Sequence, residues 1–272
     1  MTNGTISVKL KPNIASLPPY VPGKTAYNAV KLSSNENPLG PSPLAIQAIR
    51  DNLQTVHRYP DGASTELRKA IAQLWDTSPD NLIIANGSDE VFSLISAAWL
   101  SPGENAVIAR QTFSQYHYAI RLFGGESRKV NLHRGKHDLE SMLLRVDGQT
   151  RLVFICNPNN PTGTYVDSDE LENFMRRLPK SVIVVLDEAY AEFADSADFP
   201  DSKSLLKKFD NLVVVRTFSK LYGLAGMRVG YGVGNAMLTA GAERASMPFK
   251  VNLLAQSAAF AALDDHDHRR RT

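Results

Sequence analysis

Residues 182–190 read Val182-Ile183-Val184-Val185-Leu186-Asp187-Glu188-Ala189-Tyr190: five branched apolar residues run without interruption into a carboxylate and a tyrosine. A strand wet on one face alternates apolar with polar. An unbroken run of this length describes a strand covered on both faces, as in parallel sheets flanked by helices. Residues 82–85, 106–109, 152–155 and 212–215 are short and continuously apolar in the same way. Helical patterns lie between them. Val91, Phe92, Leu94, Ile95, Ala98 and Trp99 fall at helical spacing, with Ser88 as the expected N-cap and Asp89 and Glu90 in the first turn. The pattern predicts an α/β fold with a mostly parallel central sheet and helices on both faces.

The flanks differ. Residues 1–40 are rich in Pro, Gly and Asn and read as an extended arm, while 41–234 carry the strand and helix alternation. Residues 235–272 read as a connecting segment, Ala-rich helix interrupted near Pro248, ending in a polar tail from Asp264 to Thr272. His266 and His268 beside three arginines read as part of that solvated tail, so no metal site is expected.

The 272 residues hold 30 Lys+Arg against 28 Asp+Glu, a formal charge of +2, with 43% hydrophobic and 21% charged residues. Disorder, collagen-like repeats and coiled coil are excluded by that composition, and nucleic-acid binding by the absence of a basic surplus. The expected partner is a small molecule. Cys156 is the single cysteine, so no internal disulfide forms, and its place at a strand end predicts a buried small hydrophobe. The first ten residues lack signal-peptide character, and no apolar run approaches the roughly 18 residues of a membrane span. A cytoplasmic protein without membrane contact is expected.

In open parallel sheets ligands bind beyond the carboxyl ends of the strands, so the residues after each apolar run carry the function. After 82–85 comes Asn86-Gly87-Ser88-Asp89, a glycine turn into a helix N-terminus and an anion site. After 106–109 come Phe113 and Tyr116. After 152–155 comes Asn157-Pro158-Asn159-Asn160-Pro161-Thr162-Gly163, a rigid turn with three amides. Asp187 and Tyr190 follow 182–186, and Thr217-Phe218-Ser219-Lys220 follows 212–215, with Arg228 eight residues on. One lysine, one carboxylate, a tyrosine, an aromatic ring and two anion-binding elements at one sheet edge fit a flat, phosphorylated, nitrogen-containing cofactor held by the lysine. Gly223, Gly226 and Gly230 do not match G-x-G-x-x-G, and no P-loop string occurs.

These strings resemble a known family. NPNNPTG at 157–163, DEAYAEF at 187–193 and TFSKLYGLAGMRVGY at 217–231 are similar to the fold-type I pyridoxal-phosphate aminotransferases. LSSNENPLGPSP at 32–43, YPDG at 59–62 and NGSDE at 86–90 resemble its histidinol-phosphate aminotransferase branch. The resemblance runs from about Tyr20 to the chain end. It implies pyridoxal 5'-phosphate as cofactor, with Lys220 bonding it and shuttling the proton of the substrate α-carbon. It further implies that Asp187 keeps the ring nitrogen protonated, that Asn160 and Tyr190 donate to the ring oxygen, and that Phe113 stacks on the ring. Ser88, Asp89, Ser219 and Arg228 would hold the phosphate, and Tyr59 would reach the phosphate of a partner subunit in a homodimer with shared sites. Tyr20 and Asn37 match substrate-side positions, and Tyr116 is expected to line the same pocket.

The implied reaction moves an amino group from a small-molecule donor to a 2-oxo acid, with histidinol phosphate and 2-oxoglutarate as the pair, in histidine biosynthesis. Two alternatives stay open: an aromatic amino acid aminotransferase on the same scaffold, and a catalytically silent cofactor-binding or heteromeric subunit. Members of the resembled family run longer, so a small C-terminal domain carrying a substrate-gripping arginine is expected to be missing. On that expectation the Ala-rich segment lacks a packing partner, exposes apolar surface, and leaves this chain a poor transaminase alone.

Overall fold

A computed structural model describes residues 8–19, 21, 28–29 and 31–272. Seven strands form one sheet: β1 (Leu82–Ala85), β2 (Asn105–Ala109), β3 (Glu126–Val130), β4 (Thr150–Cys156), β5 (Ile183–Asp187), β6 (Leu212–Thr217) and β7 (Gly230–Gly234). Their spatial order is β1-β7-β6-β5-β4-β2-β3. The β3-β2-β4-β5-β6 portion is parallel throughout, and β7 runs antiparallel to both β1 and β6. The sheet is therefore mostly parallel, with its five apolar strands where the unalternating runs placed them.

The first helices are α1 (Pro12–Ala15), α2 (Pro43–Asn52), α3 (Thr65–Trp75), α4 (Ser88–Trp99), α5 (Gln115–Leu122) and α6 (Leu139–Leu143). Then come α7 (Ser168–Arg177), α8 (Ser202–Lys208), α9 (Ala236–Arg244), α10 (Leu253–Leu263) and α11 (His266–Arg271). Two apolar layers result. Val184 and Leu186 of β5 enter one layer with residues of α2, α3, α7 and α10, while Ile183 and Val185 enter the other with residues of α4, α5 and α9. Both faces of each central strand are thus dehydrated, and each fully buried Val, Leu or Ile contributes about 1.5–3 kcal/mol.

Two strands carry no unbroken apolar run. β3 is Glu126-Ser127-Arg128-Lys129-Val130 at the sheet edge, where one side is wet and charge discourages pairing with another chain. β7 contains Gly230, Gly232 and Gly234, and at Gly230 the N-terminus of α4 lies against it. A Cβ on Gly230 would stand 2.6 Å from the Ser88 nitrogen and 2.8 Å from the Gly87 carbonyl carbon.

The start of α4 also departs from expectation. Gly87, with φ +85°, is the N-cap, and Ser88 is the first helical residue with no side-chain capping bond. The helix enters from a left-handed turn that only glycine makes cheaply.

At the C-terminal side the helix breaks at 245–252 and resumes as α10. One face of α10 buries Ala255, Ala258, Ala259, Ala262 and Leu263 in the α2 and α3 layer, while Met237, Met247, Phe249 and Phe260 of the same segment remain exposed. Alanines let two helices approach closely. The polar tail is folded as well: Asp265 accepts from the Ser42 hydroxyl at 2.6 Å and caps α11 through the His268 amide. His268, expected in solvent, is 1% exposed. Asp265 joins the first turns of α2 and α11, so a charged string becomes a docked helix.

Candidate active site

The register of β4 and β5 sets Cys156 opposite Asp187, both at the carboxyl ends of their strands. Asp187 is 3% exposed and forms part of the wall of a cavity of about 710 Å³. Its Oδ2 accepts from the Tyr116 hydroxyl at 2.5 Å and its Oδ1 from the Ala189 amide at 3.0 Å. Burial pushes its pKa up to about 6, opposed first by the Tyr116 hydrogen bond.

Across the cavity stands an anion cradle. The first turn of α4 presents Ser88 and Asp89, and Ser219 and Arg228 come from the segment after β6. The Arg228 guanidinium lies so close to Gly87 that a Cβ there would be 2.6 Å from Nη2, and it donates to Asp89 Oδ2 at 3.2 Å. Burial raises the Asp89 pKa, and the Arg228 and Lys220 charges oppose that shift. Thr217 Oγ1 accepts from the Ser219 amide at 3.1 Å, fixing the turn that presents Ser219 and Lys220. Helix N-terminal amides, a hydroxyl and a guanidinium are chemically suited to an anion.

Lys220 donates from Nζ to the Ser34 carbonyl at 2.8 Å, and Nζ lies 5.6 Å from the centre of the Tyr190 ring. Burial lowers its pKa from the ordinary lysine value, with the neighbouring carboxylates Glu36, Asp89 and Asp187 opposing. The Tyr190 hydroxyl accepts from Asn35 Nδ2 at 2.9 Å. Of the three amides in the Pro-rich turn, Asn160 alone faces this cavity. Asn157 clamps the Val166 backbone through both side-chain atoms. Asn159 bonds Gln111, Thr112, Thr162 and His137, whose ring burial holds at a pKa of about 4 and hence neutral.

Nine of the residues singled out in the sequence thus share one cavity: Ser88, Asp89, Phe113, Asn160, Asp187, Tyr190, Ser219, Lys220 and Arg228. Tyr116 does not line it. Its ring is fully buried, stacked on Phe154 at 5.1 Å and edge-on to Phe92 and Phe113, so it stands behind Asp187 rather than in front of substrate. Asn37 is turned away, donating to the Leu221 carbonyl and the Thr272 hydroxyl. Tyr59 is 81% exposed and stacks on Phe249 at 4.7 Å, away from the cavity. Tyr20 lies outside the described residues. Ser34, Asn35 and Glu36 line the cavity without having been picked out, since nothing in their spacing announces that the segment before α2 crosses the site. Among the described residues, no group of three or more His, Cys, Asp or Glu side chains could hold a metal ion, and no helix is long and apolar enough to cross a membrane.

Residues 27–271 match the model of the family described as aminotransferase class I and II. The chain is 46% identical over 267 residues to a histidinol-phosphate aminotransferase of Geobacillus sp. (strain WCH70), covering 95% of this chain and 73% of that protein. It is 45% identical over 269 residues to histidinol-phosphate aminotransferase 2 of Pseudomonas aeruginosa, with the same coverage of 95% and 73%. A crystal structure of histidinol-phosphate aminotransferase from Sinorhizobium meliloti, in complex with pyridoxal-5'-phosphate, superposes with a TM-score of 0.90 at 30% identity. That match covers 99% of this chain and 74% of the other.

Proposed function

The chain belongs to the class I and II aminotransferases and is a pyridoxal-phosphate-dependent enzyme, and from that premise we propose that it transfers the amino group of histidinol phosphate to 2-oxoglutarate. The observation that carries the substrate is the 46% identity with a histidinol-phosphate aminotransferase, extending over 95% of this chain.

The residues present fit the cofactor. A buried carboxylate suits a protonated ring nitrogen, the Ser88 end of α4 with Ser219 and Arg228 suits a phosphate, and a lysine amine of lowered pKa stands between them. Bound there, pyridoxal phosphate supplies an electron-withdrawing ring that stabilises charge developing at the substrate α-carbon. In this reading Asp187 holds the proton at the ring nitrogen. Asn160 and Tyr190 donate to the ring oxygen, and Phe113 packs on the ring face. Arg228, Ser219 and the amides of Ser88 and Asp89 grip the phosphate. Lys220 Nζ would hold the cofactor and would move the proton at the substrate α-carbon; burial lowers its pKa from the ordinary lysine value, which favours the amine.

We further assign residues 1–40 to an N-terminal arm that contributes to a small domain, 41–234 to the cofactor-binding body and 235–272 to a helical connection. The working unit in this reading is a cytoplasmic homodimer in which Tyr59, free of its own cavity, reaches the partner's phosphate; Tyr20 is assigned to the substrate side, whereas Asn37 braces the chain end instead.

The test is an absorbance spectrum of the protein with pyridoxal phosphate, before and after histidinol phosphate, followed by turnover with histidinol phosphate and with phenylalanine. A visible band that histidinol phosphate bleaches, with kcat/KM for it well above that for phenylalanine, is expected. Preference for phenylalanine would establish the aromatic aminotransferase instead. A bound chromophore without turnover of either would establish a silent subunit.

A further inference from the structure

A carboxylate removed from water takes up a proton unless something on the protein stabilises its charge. Asp187 is such a group: Asp89 and Glu188 add negative charge near it, the Cys156 thiol and the Tyr190 hydroxyl border it, and Lys220 contributes a distant cation. Two donors reach it directly. The Ala189 amide holds Oδ1, and the Tyr116 hydroxyl holds Oδ2.

The setting of Tyr116 is built for one hydrogen bond. The ring lies in an aromatic cluster, face to face with Phe154 at 16° and edge-on to Phe92 at 5.0 Å, and exposes nothing to solvent. Burial first, and then the Asp187 charge, keep the phenol protonated far into the alkaline range, so it stays a donor at every working pH. The same ring touches Phe113 edge-on at 5.7 Å, so one side chain braces both the carboxylate and the aromatic that faces the cavity.

We propose that Tyr116 is the positioning residue for Asp187: its hydroxyl sets the orientation of the carboxylate into the cavity and keeps it charged where burial opposes charge. The consequence for the cofactor rests on the reading that Asp187 faces the ring nitrogen. The coupling of Tyr116 to Asp187 does not.

Tyr116→Phe removes the hydroxyl and keeps the ring in its stack. In protein labelled with 13C at the aspartate carboxyl carbons and free of cofactor, the Asp187 signal is the one lost in Asp187→Asn. Its titration midpoint is expected to rise by about one pH unit in Tyr116→Phe, the size of a charge-assisted hydrogen bond. Site-specific 3-fluorotyrosine at position 116, a more acidic phenol and a stronger donor, should lower the midpoint; it also serves if Tyr116→Phe does not fold. With pyridoxal phosphate bound, the pH midpoint of the visible band should move in Tyr116→Phe, and the same replacement made in an Asp187→Asn background should move it no further. An Asp187 midpoint unmoved by both replacements overturns the proposal. A midpoint that moves as expected while the visible band ignores both Tyr116→Phe and Asp187→Asn upholds the coupling and overturns the ring-nitrogen reading instead.

Discussion

Lysine 220 shows how far a single position could be read. Its place just after an apolar strand, beside Ser219 and eight residues before Arg228, was visible in the sequence, as was the chemistry of a lysine near cations. Its partners were not: the Ser34 carbonyl at 2.8 Å comes from a segment 186 positions away. Lys220→Ala should abolish the borohydride-reducible bond to the cofactor and lower multiple turnover by at least about 10²- to 10⁴-fold, while the phosphate cradle still retains free cofactor. Mass spectrometry after borohydride treatment checks the first; a mutant that still gains the cofactor mass and turns over normally would remove Lys220 from its role. The amide-rich turn makes the same point within seven residues. Three asparagines looked alike in sequence, yet Asn157 and Asn159 brace the turn and Asn160 is left for the cavity. Tyr116 went the other way, because a tyrosine after a strand reads the same whether its hydroxyl meets substrate or a neighbouring carboxylate.

Among the elements, those with strong periodicity were legible and those shaped by their neighbours were not. The five apolar strands announced themselves because both their faces are dry, which demands continuous apolar sequence. β3 hides behind its edge charges, and β7 behind three glycines, of which Gly230 is required by the contact with α4. Gly230→Ala tests that contact. The nearest atoms are backbone of Gly87, Ser88 and Arg216, which cannot rotate aside, so β7 and the start of α4 must separate. Overpacking of this kind costs about 1–3 kcal/mol. A lower urea midpoint and weaker retention of pyridoxal phosphate are both expected. Unchanged cofactor affinity in a destabilised protein would show that the α4 N-terminus does not set the phosphate site. α11 was missed for a related reason: six polar residues form no apolar stripe, and the helix is held by Asp265 reaching back to Ser42.

For the molecule as a whole, Tyr59 decides the most. It stacks on Phe249 and is 81% exposed, outside the cavity of its own chain. If sites are shared across a two-fold interface, mixing Tyr59→Ala subunits with Lys220→Ala subunits regenerates one intact site per heterodimer. Activity of the mixture above the sum of the separate parents is the expected outcome; activity equal to that sum, with subunit exchange verified by mass, would confine Tyr59 to its own chain. Taken alone, the sequence determined the α/β class, the five buried strands and the family, because unalternating apolar runs and the strings around Lys220, Asp187 and Asn160 are local properties of the chain. Only the tertiary structure decided that Tyr116 supports Asp187, that residues 33–36 cross the site, that Gly230 is small for the sake of α4, and that Asp265 docks the last helix. Each of those rests on a contact between residues far apart in sequence, and neither side of such a contact carries a local mark of its partner.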